Sequence, residues 1–309
     1  MIRAMATTPV QTRVHGALAA AVTPLTKGGE HVDVPAIGKL VDFYCTAGLD
    51  GLLILGTTGE GVLLSPEERR AVADEFLACS GDRLPIVVHC GAQSTRDTAA
   101  LAEHAASAGA AGIAVIPPPY YLLDDVAILR HLGAAAAACA PTPFYVYEFA
   151  ARSGYAVPIS VVDELRARAS NFVGLKVSDS PYARVRPYLI DGLDVFIGFE
   201  ELIHEGLRAG AAGAVSGLAA ALPELTLAAV RSGSSEDSAR AGRIRAVIQR
   251  FPFQAALKLI LQRRGVAVGA AVRGPLRGLD ATEVKDLEHL LDDPGAEVEP
   301  LLRARRSPS

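Results

Sequence analysis

The sequence predicts an α/β protein: a (β/α)8 barrel with a helical extension at its C-terminal side. Eight short apolar or β-branched runs recur over the first two-thirds of the chain, and longer amphipathic stretches separate them. Several of those stretches open with helix-cap chemistry. Strands that alternate with helices pair in parallel through right-handed crossovers, and eight such units close into a barrel. An open, doubly wound sheet is the structural alternative. It is weakened because no G-x-G-x-x-G follows the first run.

The strands are expected at residues 17–24, 51–55, 85–90, 112–116, 143–149, 172–177, 194–198 and 213–217. Helices are expected between them at 35–47, 66–80, 95–108, 124–138 and 158–169. The start at 66 is the clearest, because Ser65-Pro66-Glu67-Glu68 supplies a cap, an N1 proline and acidic residues at the positive helix end. Beyond the eighth strand no further strand is convincing. Periodic stretches at 223–231, 236–264 and 282–291 point instead to helices packed on the barrel. No flexible linker intervenes, so the expected organisation is an N-terminal arm (1–15), a barrel (16–222) and an extension (223–309) that frays at 303–309.

A chain of 309 residues, half of them hydrophobic, can bury a barrel-sized core. Its formal charge of −4 offers no basic field for nucleic acid, which leaves small molecules as the expected partners. Cys45, Cys79, Cys90 and Cys139 form no C-x-x-C pair and read as reduced core residues, not metal or redox ligands. The first residues lack the apolar region of a secretory signal, and no long uninterrupted apolar segment suggests a membrane span. A cytoplasmic protein is expected.

Barrel enzymes carry their reacting groups at the C-terminal ends of the strands. Of five lysines only Lys176 lies within an expected strand, where alternation puts Gly174, Lys176 and Ser178 on the barrel side. Val173, Leu175 and Val177 then face the helices, and Gly174 leaves room for the lysine stem. A lysine amine is ordinarily protonated at neutral pH, and burial frees its lone pair to attack a carbonyl carbon. A lysine paired with a buried carboxylate, or one reaching for the rim, explains the same position. On the fifth strand Tyr147 shares a face with Tyr145, at a height where its hydroxyl meets Lys176 and can shuttle protons; core filling is the alternative, and the better one for Tyr145.

Other strand ends add polar groups. Gly56-Thr57-Thr58-Gly59-Glu60-Gly61 combines hydroxyls and successive N–H groups suited to a carboxylate, although a tight turn uses the same glycines. Arg152-Ser153-Gly154 puts a cation just beyond the fifth strand. Tyr120 and Tyr121 follow a rigid Pro117-Pro118-Pro119 run and suit a site, an interface or plain surface packing. The stretch Gly217-Leu218-Ala219-Ala220 makes a weak phosphate cradle, which argues against a phosphosugar isomerase.

Taken in order, the Gly56–Glu60 stretch, Tyr147 with Arg152-Ser153-Gly154, and Gly174-Leu175-Lys176 resemble the dihydrodipicolinate synthase/N-acetylneuraminate lyase family of pyruvate-dependent lyases. The resemblance implies that Lys176 forms a Schiff base with a 2-oxo acid, that Tyr147 relays protons and that Thr57 links it to a second tyrosine. Tyr121 corresponds to that second tyrosine, which in the family enters from a neighbouring subunit of a homotetramer, a dimer of dimers. Thr58 corresponds to a ligand of the pyruvate carboxylate, and Arg152 to an arginine for the carboxylate of the aldehyde. Ser178, Gly198, Glu201 and Val215 complete the expected substrate-binding set. No metal or organic cofactor is implied.

The specificity positions are mixed. Arg152 matches the synthases, whereas Gly198-Phe199-Glu200-Glu201 resembles the lyase arrangement, in which acids contact sugar hydroxyls. Glu148 and Ala150 depart from both patterns. The expected activity is condensation of pyruvate with an aldehyde, or the reverse, resembling 4-hydroxy-tetrahydrodipicolinate synthase. A 2-keto-3-deoxy sugar acid aldolase or dehydratase, an N-acetylneuraminate lyase and a non-catalytic 2-oxo acid binder stay open.

Overall fold

Period-two alternation in buried strands requires two apolar layers, one inside a closed sheet and one beneath its helices. The computed structural model describes residues 13–292 and realises that arrangement. Positions 1–12 of the expected arm, and 293–309 with the expected frayed tip, lie outside the described residues. Strands β1 (Gly16–Ala20), β2 (Gly51–Ile54), β3 (Ile86–His89), β4 (Gly112–Val115), β5 (Phe144–Glu148), β6 (Phe172–Val177), β7 (Asp194–Ile197) and β8 (Gly213–Ser216) close in sequence order into an all-parallel TIM barrel. Each lies inside or within one residue of its expected span. The first stops four residues early, because Leu25 leaves the sheet to bridge with Val32.

The helices are α1 (Val34–Ala47), α2 (Pro66–Ser80), α3 (Thr95–Ser107), α4 (Asp125–Cys139), α5 (Ala150–Ser153), α6 (Ile159–Arg168), α7 (Tyr182–Val185), α8 (Ile203–Arg208), α9 (Pro223–Ser232), α10 (Ser235–Ile248), α11 (Phe253–Arg263) and α12 (Ala281–Asp292). The cap expected at Ser65 forms and is a full capping box, with Ser65 Oγ accepting the Glu68 N–H and the Glu68 carboxylate accepting the Ser65 N–H. Three short helices, α5, α7 and α8, were not expected; their one or two turns are too brief to show a helical period. The stretch 236–264 breaks into α10 and α11 at Phe251-Pro252, where proline has no N–H to continue the ladder. Helix α9 packs over β1 and β8.

Two clusters record the two layers. Leu52, Ile54, Leu175 and Val177 join the layer beneath the helices, while Leu18, Leu53, Val87, Tyr145, Phe196 and Val215 fill the barrel floor. Val173 belongs to the floor, contrary to its expected outward place. The register between β5 and β6 steps from Phe144↔Phe172 to Tyr145↔Gly174, leaving Val173 as an extra residue that turns inward. Gly174 also has a different role from the expected one. A Cβ there would lie 2.0 Å from the Asp194 carbonyl oxygen, so the glycine permits close approach of β7 and does more than make room for Lys176.

No helix among the described residues is long and apolar enough to cross a membrane. Because the Gly174 contact is with backbone, Gly174→Ala should lower stability by about 1–3 kcal/mol. Chemical denaturation of the variant checks this; an unchanged midpoint would refute the account of the β6–β7 approach.

Candidate active site

At the carboxyl ends of the strands, side chains from β5 and β6 converge over the packed floor. Tyr147 and Lys176 are register partners on adjacent strands, and both point inward. Lys176 Nζ sits 3.8 Å from the centroid of the Tyr147 ring, and Tyr147 Oη lies 3.2 Å from Thr57 Oγ1. Both residues are buried. Burial pushes the Tyr147 phenol up, but the Lys176 charge and hydrogen bonds from Thr57, Lys176 and Ser178 outweigh it and hold the phenol below its usual range. A phenol so placed exchanges a proton with the neighbouring amine more readily than an ordinary tyrosine does.

The layer beneath holds a different kind of group. His89 meets Tyr147 edge-on, with ring centroids 5.8 Å apart. Its Nδ1 lies 3.0 Å from the Leu55 carbonyl, and its Nε2 accepts the Ile116 N–H, which together fix the Nδ1–H tautomer. Burial, the Arg69 guanidinium and Lys176 bring its pKa down to about 3, so it supports the tyrosine as a neutral ring.

The loop after β2 is shaped by close backbone contacts. Leu55 and Glu60 have φ of 59° and 58°, and a Cβ on Gly61 would fall 1.8 Å from the Leu55 carbonyl oxygen. Outside this loop the loop is gripped by α11. Gln254 donates to the Thr57 carbonyl at 3.2 Å, and one turn later Lys258 donates to Glu60 at 2.7 Å. Lys258 and Glu60 are completely buried at the side chain. Lys258 also donates to the Ala271 carbonyl, and the second Glu60 oxygen accepts the Arg273 N–H.

A cavity of about 120 Å³ opens at this end of the barrel. Eight of the ten sequence-selected residues line it: Lys176, Tyr147, Thr57, Thr58, Arg152, Ser178, Gly198 and Val215. Tyr121 is 72% exposed beside Tyr120 and does not reach the cavity of its own chain. Glu201 is also outside, on the surface near Ser180. The buried acid of that pair is Glu200, which accepts from Ser216, Leu218 N and Arg245. A short helical turn at 200–202 carries the chain outward after Phe199, which separates the two acids.

Sequence reasoning overlooked Arg245, Gln249, Phe253 and Gln254, which reach the cavity from α10 and α11. Their helical period was visible, but nothing in it indicated which face meets the barrel mouth. It also treated Lys258 as an ordinary helix residue. Among the described residues no group of three or more His, Cys, Asp or Glu is arranged to hold a metal.

The family model of the dihydrodipicolinate synthetase family matches residues 13–293. The chain belongs to that family. An uncharacterized DapA-like lyase of Halobacterium salinarum is 34% identical over 91% of this chain and 94% of its own length. An N-acetylneuraminate lyase of Rhizobium meliloti is 30% identical over 96% of this chain and 98% of its own. Among solved structures, YagE, a prophage protein of the dihydrodipicolinic acid synthase family from E. coli K12 in complex with pyruvate, superimposes with a TM-score of 0.84 at 27% identity, covering 90% of this chain and 97% of that one. Membership supports a pyruvate-dependent, aldolase-type lyase.

Two buried carboxylates make the synthetase-family site sensitive to change. Removing the amine with Lys258→Met leaves Glu60 buried without its cation, and should cost about 3–5 kcal/mol. The paired variant Glu60→Gln/Lys258→Met should recover much of that loss in denaturant titrations; equal losses in the single and double variants would contradict the pairing.

Glu148 faces outward from β5, fully buried, with one oxygen accepting the Val157 N–H. Burial, aided by nearby Asp179, raises its pKa from 4.5 to about 8. A raised carboxyl pKa means the folded state keeps a proton that the unfolded state releases, so this group's contribution is full below pH 4.5 and is lost as pH rises to about 8. The stability of Glu148→Gln should therefore decline less than that of the parent chain between pH 5 and 8. Parallel slopes of the unfolding midpoint against pH would show Glu148 ionised in the fold.

Proposed function

We propose that the protein is a Schiff-base-forming lyase that condenses pyruvate with an aldehyde, or releases pyruvate in reverse, in the manner of a 4-hydroxy-tetrahydrodipicolinate synthase. The observation that carries this reading is Lys176 Nζ at 3.8 Å from the Tyr147 ring, with the Thr57 hydroxyl on the phenol, inside a small cavity. A core lysine kept only for structure would pair with a carboxylate, as Lys258 does with Glu60. Among the described residues no carboxylate lines the cavity around Lys176.

The chemistry follows from those contacts. The Lys176 amine attacks the 2-oxo carbon through its lone pair, and the carbonyl oxygen takes a proton from the Tyr147 phenol. The Tyr147 phenolate recovers a proton from the new ammonium nitrogen and passes it to the carbinolamine hydroxyl, which leaves as water and gives the protonated imine. The phenolate then takes a proton from C3, and the imine accepts the released electron pair, which forms the enamine. C3 of the enamine attacks the aldehyde carbon, and the aldehyde oxygen takes the proton back from Tyr147. Water finally adds to the imine, which frees product and regenerates the amine.

Thr58, beside Gly217, is the proposed contact for the pyruvate carboxylate, and Arg152 for a carboxylate on the aldehyde. Tyr121, Tyr120, Leu122 and Val126 form an exposed apolar ridge at 72%, 86%, 78% and 73% exposure. That ridge supports a neighbouring copy receiving Tyr121, in the proposed dimer of dimers. Cytoplasmic location belongs to the same proposal.

Incubation with pyruvate and borohydride should add a reduced pyruvyl group to Lys176, detectable by peptide mass spectrometry, and Lys176→Ala should abolish it. Tyr147→Phe should lower kcat about 10²- to 10⁴-fold with the protein folded. Folded protein that gives no adduct would overturn the Schiff-base reading.

A further inference from the structure

We infer that Arg245, supplied by α10, joins Arg152 as a second specificity-determining cation for the carboxylate of the aldehyde substrate. The inference rests on the proposed imine chemistry and names the class of molecule that meets the enamine.

Arg245 is fixed from several sides. Its Nη1 donates to both Glu200 oxygens, at 3.0 and 2.9 Å, and its Nε donates to Gln249 at 3.4 Å. The Phe199 and Phe253 rings flank the guanidinium, with centroids 5.4 and 5.0 Å from Cζ. Gly217 keeps this corner open, since a Cβ there would lie 3.2 Å from Phe253, 3.2 Å from Thr58 Oγ1 and 3.4 Å from Arg245 Nη1. Nη2 is left with no protein hydrogen bond among the described residues, on a residue that lines the cavity. A guanidinium locked by its neighbours, with donors to spare, loses little freedom when it binds an anion.

The acids that would favour a polyhydroxylated substrate are not presented. Glu200 has a side chain with no exposure, and its oxygens are taken by Ser216, Leu218 N and Arg245. Glu201 does not line the cavity. The charged lining residues are Lys176, Arg152 and Arg245, all cationic. With pyruvate bound as a protonated imine, three positive charges face two negative ones, those of the pyruvate carboxylate and Glu200. One more anionic group restores balance. A cavity of about 120 Å³ is well below the ~300 Å³ at which drug-sized ligand sites begin, which also favours a short aldehyde acid over a long sugar.

The test compares glyoxylate and aspartate semialdehyde with glyceraldehyde as partners for pyruvate. The parent protein should prefer the carboxylate-bearing aldehydes. Glu200→Gln/Arg245→Gln removes both charges together, so no buried ion is orphaned. That variant should still trap pyruvate on Lys176, while its preference for carboxylate-bearing over uncharged aldehydes falls roughly 10- to 100-fold, mainly through KM. Should the double variant fold poorly, Arg245→Lys provides the second reading, with a smaller loss of the same preference. Equal losses for charged and uncharged aldehydes, an unchanged preference, or a parent protein that prefers glyceraldehyde would overturn the inference. Failure of pyruvate trapping in the parent protein would instead overturn the Schiff-base reading beneath it.

Discussion

The buried ion pair between Lys258 and Glu60 holds the catalytic end of the barrel to the helices that follow it. Two desolvated charges are tolerated only when their remaining hydrogen-bonding capacity is met, and here the Ala271 carbonyl and the Arg273 N–H meet it. Those partners tie three segments together: the loop after β2, helix α11 and the chain at 271–273. Arg273 then reaches Glu68 on α2, and Gly29 allows the Val272 backbone to pass closely. The added helices are therefore part of the site. Gln254, one turn before Lys258, holds the Thr57 backbone, and the Thr57 hydroxyl meets Tyr147. A pair that contacts no substrate thus sets the position of a hydroxyl beside the reacting groups.

Alternation along β5 separates two opposite electrostatic environments by one residue. Tyr147 points inward to a cation and hydroxyls, which stabilise its ionised form. Glu148 points outward into a dry layer beside another acid, which stabilises its protonated form. Neither shift follows from residue type, since an exposed tyrosine and an exposed glutamate keep their ordinary ranges. The Val157 N–H on Glu148 closes the chain segment that carries Arg152 back onto the strand. Below them, His89 is kept neutral by burial and the nearby Arg69 guanidinium, while two backbone partners fix its ring, so it adds shape to the site without adding charge.

The barrel was legible because each strand is a short apolar run between capped helices, a local signal. Lys176 stood out because it is the only lysine in such a run, and strand register placed Tyr147 beside it. Val173 was misplaced because a bulge is a property of two paired strands, and neither strand alone marks it. The break at Pro252 was local and available, but the periodic pattern on both sides masked it. Arg245, Gln254 and Lys258 were hidden for another reason. Their roles depend on which face of α10 and α11 meets loops 45 residues earlier for Arg245 and almost two hundred for Gln254 and Lys258, and hydrophobic period carries no information about that docking angle.

The acidic pair after β7 illustrates how a motif is redirected by a distant residue. Glu200 and Glu201 together resemble a sugar-binding arrangement, yet Glu200 is enclosed by Ser216, Leu218 and Arg245, and Glu201 lies on the surface. One arginine on α10, itself lining the cavity, turns the buried acid into half of a neutral pair. Lys176, Tyr147 and Thr57 belong to strands and a loop fixed elsewhere, so a change at Arg245 leaves their contacts in place. The proposed imine formation and the proposed partner choice thereby fall to different parts of the chain. Under the proposed imine chemistry, substitution on α10 changes the second substrate while Lys176 keeps its contacts, because no hydrogen bond among the described residues joins Arg245 to the Lys176–Tyr147–Thr57 group.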